Sequence, residues 1–216
     1  TGEDTAKKST GCRRNADTTR AILDAAAALL QEKGYANFAI EEVARRSGAS
    51  KSTIYRWWPS KMHLLLDIYG AEVEKTIVIP DFGNVQDEIV FLTRAIWRFW
   101  RETPSGQAFK SMIAQTQTDP AAVEQWRSRF LPERRRRLVF ILQRAAARGE
   151  LRPDIRPEIV TDMLFGFSWY RLLTGQIDDD MEVITAMVRE IVQGITRNPL
   201  GDPGLFGAEQ RHAQGQ

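Results

Sequence analysis

The sequence holds a single cysteine, Cys12, so no intramolecular disulfide is possible and a reducing compartment suits the chain. Histidine is almost as scarce: His63 and His212 lie far apart, and with Cys12 they make no metal-ligand spacing. No apolar run approaches the ~18 residues of a membrane span, and the N-terminus has no signal-peptide core. The chain is therefore expected to be soluble and cytoplasmic, with no membrane partner. It has no Gly-rich phosphate loop and no nucleophile motif. No catalytic residue, metal or cofactor is implied, and the chain is not expected to be an enzyme. Net charge is small too, +2 over 216 residues, so bulk charge announces no polyanionic partner.

What is present is ordinary for a folded protein: 43% hydrophobic and 27% charged residues argue against disorder. The charge is unevenly placed. Up to Lys61 there are 11 lysines and arginines against 7 acids, and beyond it 19 against 21. The basic excess coincides with the stretch IEEVARRSGASKSTIYRWW, residues 40–58. Ile40, Val43 and Ala44 recur at helical spacing. Gly48 suits a left-handed helix end, and Ser50 suits the N-cap of the next helix. That second helix has Lys51, Ser52, Thr53, Tyr55 and Arg56 outside, with Ile54 and Trp58 inside. Two short helices around a glycine turn describe a helix-turn-helix. Cations, hydroxyls and a phenol are the groups that meet phosphates and base edges.

The rest reads as helices. Residues 1–15 are a disordered arm whose Lys7, Lys8, Arg13 and Arg14 either are simply solvated or reach a minor groove. Asp17 to Lys33 is a helix ended by Gly34, and Tyr35 and Phe38 pack the link that follows. Pro59 stops the second short helix, Ser60 caps the next, and that connecting helix runs from Lys61 to about Ile77. Residues 85–102 are apolar on most sides and should be buried. Thr103-Pro104 and Gly106 break that helix, and another covers about Ser105 to Gln117. Asp119-Pro120 reads as a helix start, and Pro132 as the start of a further helix from Glu133 to Arg148. Arg134 to Arg137 spread around the helix axis, so they read as a solvated helix start over Leu138, Ile141 and Leu142 rather than a binding stripe. Glu158 to Thr174 is apolar nearly all round, and Met181 to Ile195 has one clean apolar stripe. Residues 198–216 read as a flexible tail. No strand signal is present.

The string G-x-S-x-x-T-I-Y-x-x-W-x-S-K over Gly48 to Lys61, preceded by AILDAAAALLQEKGY, resembles the TetR family of transcriptional regulators. The stretch RGELRPDI…DMLFGFSWYRLLTG is similar to one subgroup of that family's C-terminal domains. The resemblance implies an all-α protomer of nine or so helices. A three-helix helix-turn-helix domain, residues 16–62, is joined by a connecting helix to a larger helical ligand-binding and dimerisation domain, residues 63–197. Carried over by position, the DNA-facing set is Ser50, Lys51, Ser52, Thr53, Tyr55, Arg56, Trp57 and Lys61. In that set Arg56 would meet guanine, and Lys61 a phosphate near a helix N-terminus. Ala39 stands where the family has Thr or Ser, and His63 where a capping Glu often follows.

The implied partners are an inverted-repeat DNA operator, a second copy of the chain and a small apolar or aromatic effector. Candidate pocket residues are Trp97, Trp100, Phe109, Met112, Trp126, Phe130, Phe140 and Arg144, with Gln115 and Thr116 as polar neighbours. The last two helices are expected to form a four-helix dimer interface through Leu164, Phe167, Tyr170, Arg171, Ile184, Met187, Val188, Ile191 and Ile195. The expected function is a ligand-responsive repressor, with a ligand-independent or partner-recruiting DNA-binding regulator as the alternative.

Overall fold

Helical periodicity and punctuation by glycine, proline and capping residues set nearly every element of the computed structural model, which describes residues 16–118 and 120–196. The N-terminal arm with Cys12, the tail with His212, and Asp119 with its expected cap lie outside the described residues. Within them the chain is all-helical; its one extended pairing is an isolated bridge between Leu151 and Thr196.

The head begins with α1, Ala16–Lys33, which turns Ile22, Ala26, Leu29 and Leu30 inward. Gly34 ends it at φ 67, a conformation with little steric cost only for glycine. Helix α2, Ile40–Ser47, buries Ile40, Val43 and Ala44 and ends at Gly48 in the left-handed region. Helix α3, Lys51–Trp57, starts on Ser50, whose Oγ accepts from the Thr53 amide at 3.1 Å. Helix α4, Lys61–Thr76, buries Leu64, Leu65, Ile68, Tyr69 and Val73. Ser60 stands at its N-cap but does not cap the backbone; the hydroxyl is instead in a 2.9 Å hydrogen bond with His63 Nδ1. The expected serine cap is thereby corrected, and the histidine in place of the usual glutamate is its physical reason.

Helix α5, Val85–Glu102, is mostly buried, as its composition requires. The next helix, α6, Pro104–Thr116, starts one residue earlier than expected, because Thr103 caps it: its Oγ accepts from the Gly106 amide at 3.0 Å. Gly106 is therefore not a breaker. A Cβ there would lie 2.1 Å from the Phe99 carbonyl oxygen, so the glycine permits close approach of the two backbones. Helices α7, Pro120–Gln125, and α8, Leu131–Ala147, are joined end to end by a π-helical turn over Trp126–Phe130. Pro132 stands in the first turn of α8, as expected, with the helix starting at Leu131 rather than Glu133; there its missing N–H costs no helical bond, and the π-helical turn lies just upstream. Helix α9 spans Pro157–Leu173. Helix α10, Met181–Ile195, is capped by Asp180, whose Oδ1 accepts from the amides of Glu182 and Val183.

The described helices gather into two compact units: Ala16–Val78 with Phe99–Trp126, and Ile79–Arg98 with Arg127–Thr196. In the first unit's core, Leu64, Leu65 and Ile68 of α4 and Ala108 and Met112 of α6 join Ile22, Leu29, Val43, Ile54 and Trp58. In the second unit, Glu88 is fully buried and answered by Arg144 at 2.8 Å and Arg148 at 3.2 Å. A charge so deep needs such partners. There Leu138, Ile141 and Leu142 face inward as expected, while Arg135 pairs with Asp162 and Arg136 with Glu133.

Candidate nucleic-acid interface

Helix α3 is locked from behind and open in front. Ile54 and Trp58 are almost completely buried, and the Trp58 indole N–H donates to Asp67 of α4 at 2.8 Å. The opposite side carries Lys51, Ser52, Tyr55 and Arg56, all exposed, with the Tyr55 ring 44% exposed. Ser50 Oγ also lies 2.8 Å from Ser52 Oγ and 2.9 Å from Thr53 Oγ1, so the hydroxyls form one network at the start of the helix. Trp57, expected to face DNA, is half-buried and packs against the head's core.

The ammonium of Lys51 pairs with Glu41 at 2.9 Å, and this bond holds the Glu41 carboxyl below its ordinary pKa. Next to it, Glu42 accepts from Arg45 and Arg46 and is held down to about 2 by those two guanidinium groups. Arg46 also reaches Glu32 of α1 at 2.7 Å. An ionic lattice thus ties α2 to α1 on the side away from the apolar core. Ala39 makes no side-chain cap for α2. Glu41 and Glu42 in the first turn and Arg45 and Arg46 in the last complement the helix dipole in its place.

Lys61 is placed differently from expectation. It is half-buried, its ammonium donates to the Tyr35 carbonyl at 2.6 Å, and it lies 4.2 Å from the centre of the Tyr35 ring. Burial lowers its pKa.

Residues 22–68 match the family described as bacterial regulatory proteins of the tetR family, and residues 79–191 match a tetracyclin repressor-like C-terminal domain. The chain is 33% identical over 180 residues to the uncharacterized HTH-type transcriptional regulator YdeS of Bacillus subtilis strain 168, spanning 83% of this chain and 88% of that protein. The chain belongs to the TetR family of transcriptional regulators. The crystal structure of the TetR-family transcription regulator SCO0332 superposes with a TM-score of 0.74 at 34% identity, covering 82% of this chain and 98% of that one. A DNA-binding transcriptional repressor, TetR, of Mycobacteroides abscessus is 26% identical over 170 residues, 77% of this chain and 88% of its own length. The family is one of DNA-binding regulators, not enzymes.

The aromatics expected to line a pocket do not form one group. In the first unit Phe109 stacks on Tyr69, Trp100 and Trp126, with ring centres 4.6, 5.5 and 5.6 Å apart, and the Trp100 indole donates to the Tyr69 hydroxyl at 2.7 Å. Met112 belongs to the head's own core. In the second unit Trp97 stacks on Phe167 under the Arg171 guanidinium, and Phe130 lies beneath Arg134. Phe140, expected to line a pocket, is 53% exposed with Arg144 over its ring; the surface position excludes it from an enclosed site. Arg144 is engaged by Glu88 and by the Pro80 carbonyl. Gln115 accepts from the Tyr35 hydroxyl, and Thr116 donates to the Met112 carbonyl at 2.7 Å.

The expected dimer residues also divide. Leu164, Ile184, Met187, Val188, Ile191 and Ile195 are buried within their own protomer, where they serve its core. Tyr170 is exposed, and Phe167 and Arg171 are half-buried. Ile159, Met163 and Leu173, not foreseen, share the exposed side of α9 with Tyr170. Their spacing of four, seven and three residues was visible in the sequence. An all-round apolar composition hid which side would remain uncovered.

Proposed function

We propose that this chain is a dimeric, ligand-responsive repressor that reads an inverted-repeat operator with α3 in the major groove. The observation that carries the reading is α3 itself: an anchored back face and an outward row of Lys51, Ser52, Tyr55 and Arg56. Lys51 and the hydroxyls hold the phosphate backbone, and Arg56 reads guanine. The exposed apolar stripe Ile159, Met163, Tyr170 and Leu173 on α9 supports a second copy as partner. The setting is the bacterial cytoplasm, where the DNA is. An apolar or aromatic effector releases the operator; a coupling of ~1–3 kcal/mol changes DNA affinity ~5–150-fold.

Selection from random duplexes, followed by mobility shift at stated salt, tests the reading. A palindromic consensus is expected, with log affinity falling linearly in log salt. Arg56→Ala relaxes preference at particular bases, at ~1–3 kcal/mol per base pair. Tyr55→Phe weakens binding to all sequences alike. No enrichment over non-specific binding sinks the proposal. A ligand-independent regulator is the second reading. It is favoured by the polar groups around the aromatics, Gln115, Thr116 and Arg144, each of which already has a bond within its own unit. Apolar and aromatic compounds that raise Tm and release DNA decide between the two.

A further inference from the structure

The geometry points to Lys61, Tyr35 and Gln115 as a positioning relay that ties α6 to the reading head, with Lys61 serving the link before α2 rather than a phosphate. All three lie within the first unit. The link between α1 and α2, residues 34–39, is tied to the helices at its two ends, by the Gly34 amide to the Leu30 carbonyl and by the Ala39 carbonyl to the Val43 amide, and its middle fixes where α2 starts. Its Tyr35 carbonyl accepts from the Phe38 amide at 3.3 Å and from the Lys61 ammonium at 2.6 Å, filling both lone pairs. The same ammonium lies over the Tyr35 ring at 4.2 Å and the Phe38 ring at 5.6 Å, both within cation–π range. The other end of Tyr35, its hydroxyl, donates to Gln115 Oε1 near the C-terminus of α6. Burial raises the Tyr35 pKa, which keeps the hydroxyl a donor.

One residue of the link thus holds the first turn of α4 through its carbonyl and the last turn of α6 through its hydroxyl. Ala39 gives α2 no cap, so the start of α2 depends on this link more than it would in a chain with a serine there. A displacement of α6 pulls on Tyr35. Tyr35 in turn shifts the link, then α2, then α3 across the Gly48 turn. A lysine serving a phosphate would be expected to extend into solvent, whereas Lys61 is turned inward onto a carbonyl and a ring.

Amide hydrogen exchange of the full DNA-free chain reads this directly at Phe38, whose N–H bonds the shared carbonyl. Gln115→Met removes the acceptor on α6 and should speed Phe38 exchange about five- to tenfold. Tyr35→Phe should do the same, and the double variant should do no more than either. Lys61→Met should also speed it, and Lys61→Arg should restore it. Unchanged Phe38 exchange in Gln115→Met, or additive effects in the double variant, overturns the relay. The DNA arm rests on the operator-binding reading above. With the selected operator, Lys61→Met should lower affinity while leaving the slope of log affinity against log salt unchanged. A slope smaller by about 0.9 would make Lys61 a phosphate ligand and overturn its assigned role. The exchange measurement uses no DNA, so its result decides the relay independently of the operator-binding reading.

Discussion

At the scale of single residues, the two short helices of the head start in opposite ways. Ser50 caps α3 with an oxygen 3.1 Å from the Thr53 amide, while Ala39 leaves the first amides of α2 without a side-chain acceptor. Ala39 nonetheless has the backbone of a cap residue, φ −129 and ψ 134, and its side chain is exposed. A hydroxyl there has room and finds Glu42 three residues on, the spacing of a capping box. Ala39→Ser should therefore stabilise the chain by ~1 kcal/mol, and Ser50→Ala should destabilise it by a similar amount. Urea denaturation at constant slope measures both. A near-zero effect of Ala39→Ser would mean that the ionic first turn of α2 already does all that a cap can do, and a near-zero effect of Ser50→Ala would remove the serine cap from the stability of α3. Residue identity alone made both caps legible. It did not make Lys61 legible, because a lysine near a helix N-terminus reads as a phosphate contact until the Tyr35 carbonyl is seen beside it.

At the scale of elements, helix bounds were legible because period and punctuation agree: α10 begins after Asp180 and ends at Ile195, as its stripe indicates. What failed to show were features set by a neighbour. Gly106 reads as a breaker in one dimension and is a contact point in three. The head's extent was hidden in the same way, since Ala108 and Met112 join its core from 47 and 51 residues beyond the start of α4 at Lys61, in the chain's apolar middle. The pairing of α1 with α2 by Glu32, Arg46, Glu42 and Arg45 was equally invisible, and it carries a pH signature. Glu42 is held at about 2 in the folded chain by Arg45 and Arg46, below its unfolded value of ~4.3. A depressed carboxyl stabilises above the unfolded pKa and loses that contribution as pH falls toward the folded one. Tm should thus fall between about pH 5 and pH 2, and Glu42→Gln should flatten that limb while lowering Tm at neutral pH. A variant whose acid limb parallels the parent's would remove Glu42 from the account.

At the scale of the whole molecule, the unresolved demand is for a second reading head. A seven-residue α3 spans too few base pairs for a specific site, whereas two heads on one face of DNA read half-sites ~34–36 Å apart. The apolar residues left uncovered on α9 fit this demand, since Ile159, Met163, Tyr170 and Leu173 have no reason to be apolar in an isolated protomer, and Tyr170 is 61% exposed. Leu164, Leu172 and Ser168 on the other side of the same helix are buried, so the stripe is separable from the protomer core by mutation. If the proposed dimer forms through this stripe, Met163→Glu with Tyr170→Glu would bring like charges into its interface while leaving that core intact. Sedimentation should then report a monomer with unchanged helicity. Operator affinity should drop by about 100-fold or more, because linking two heads multiplies affinity by 10²–10⁴. Binding to non-specific duplex, which depends on one head's cations, should change far less. A variant that stays dimeric, or a monomer that still binds the selected operator at parental affinity, would detach sequence reading from α9 and require each protomer to recognise its site alone.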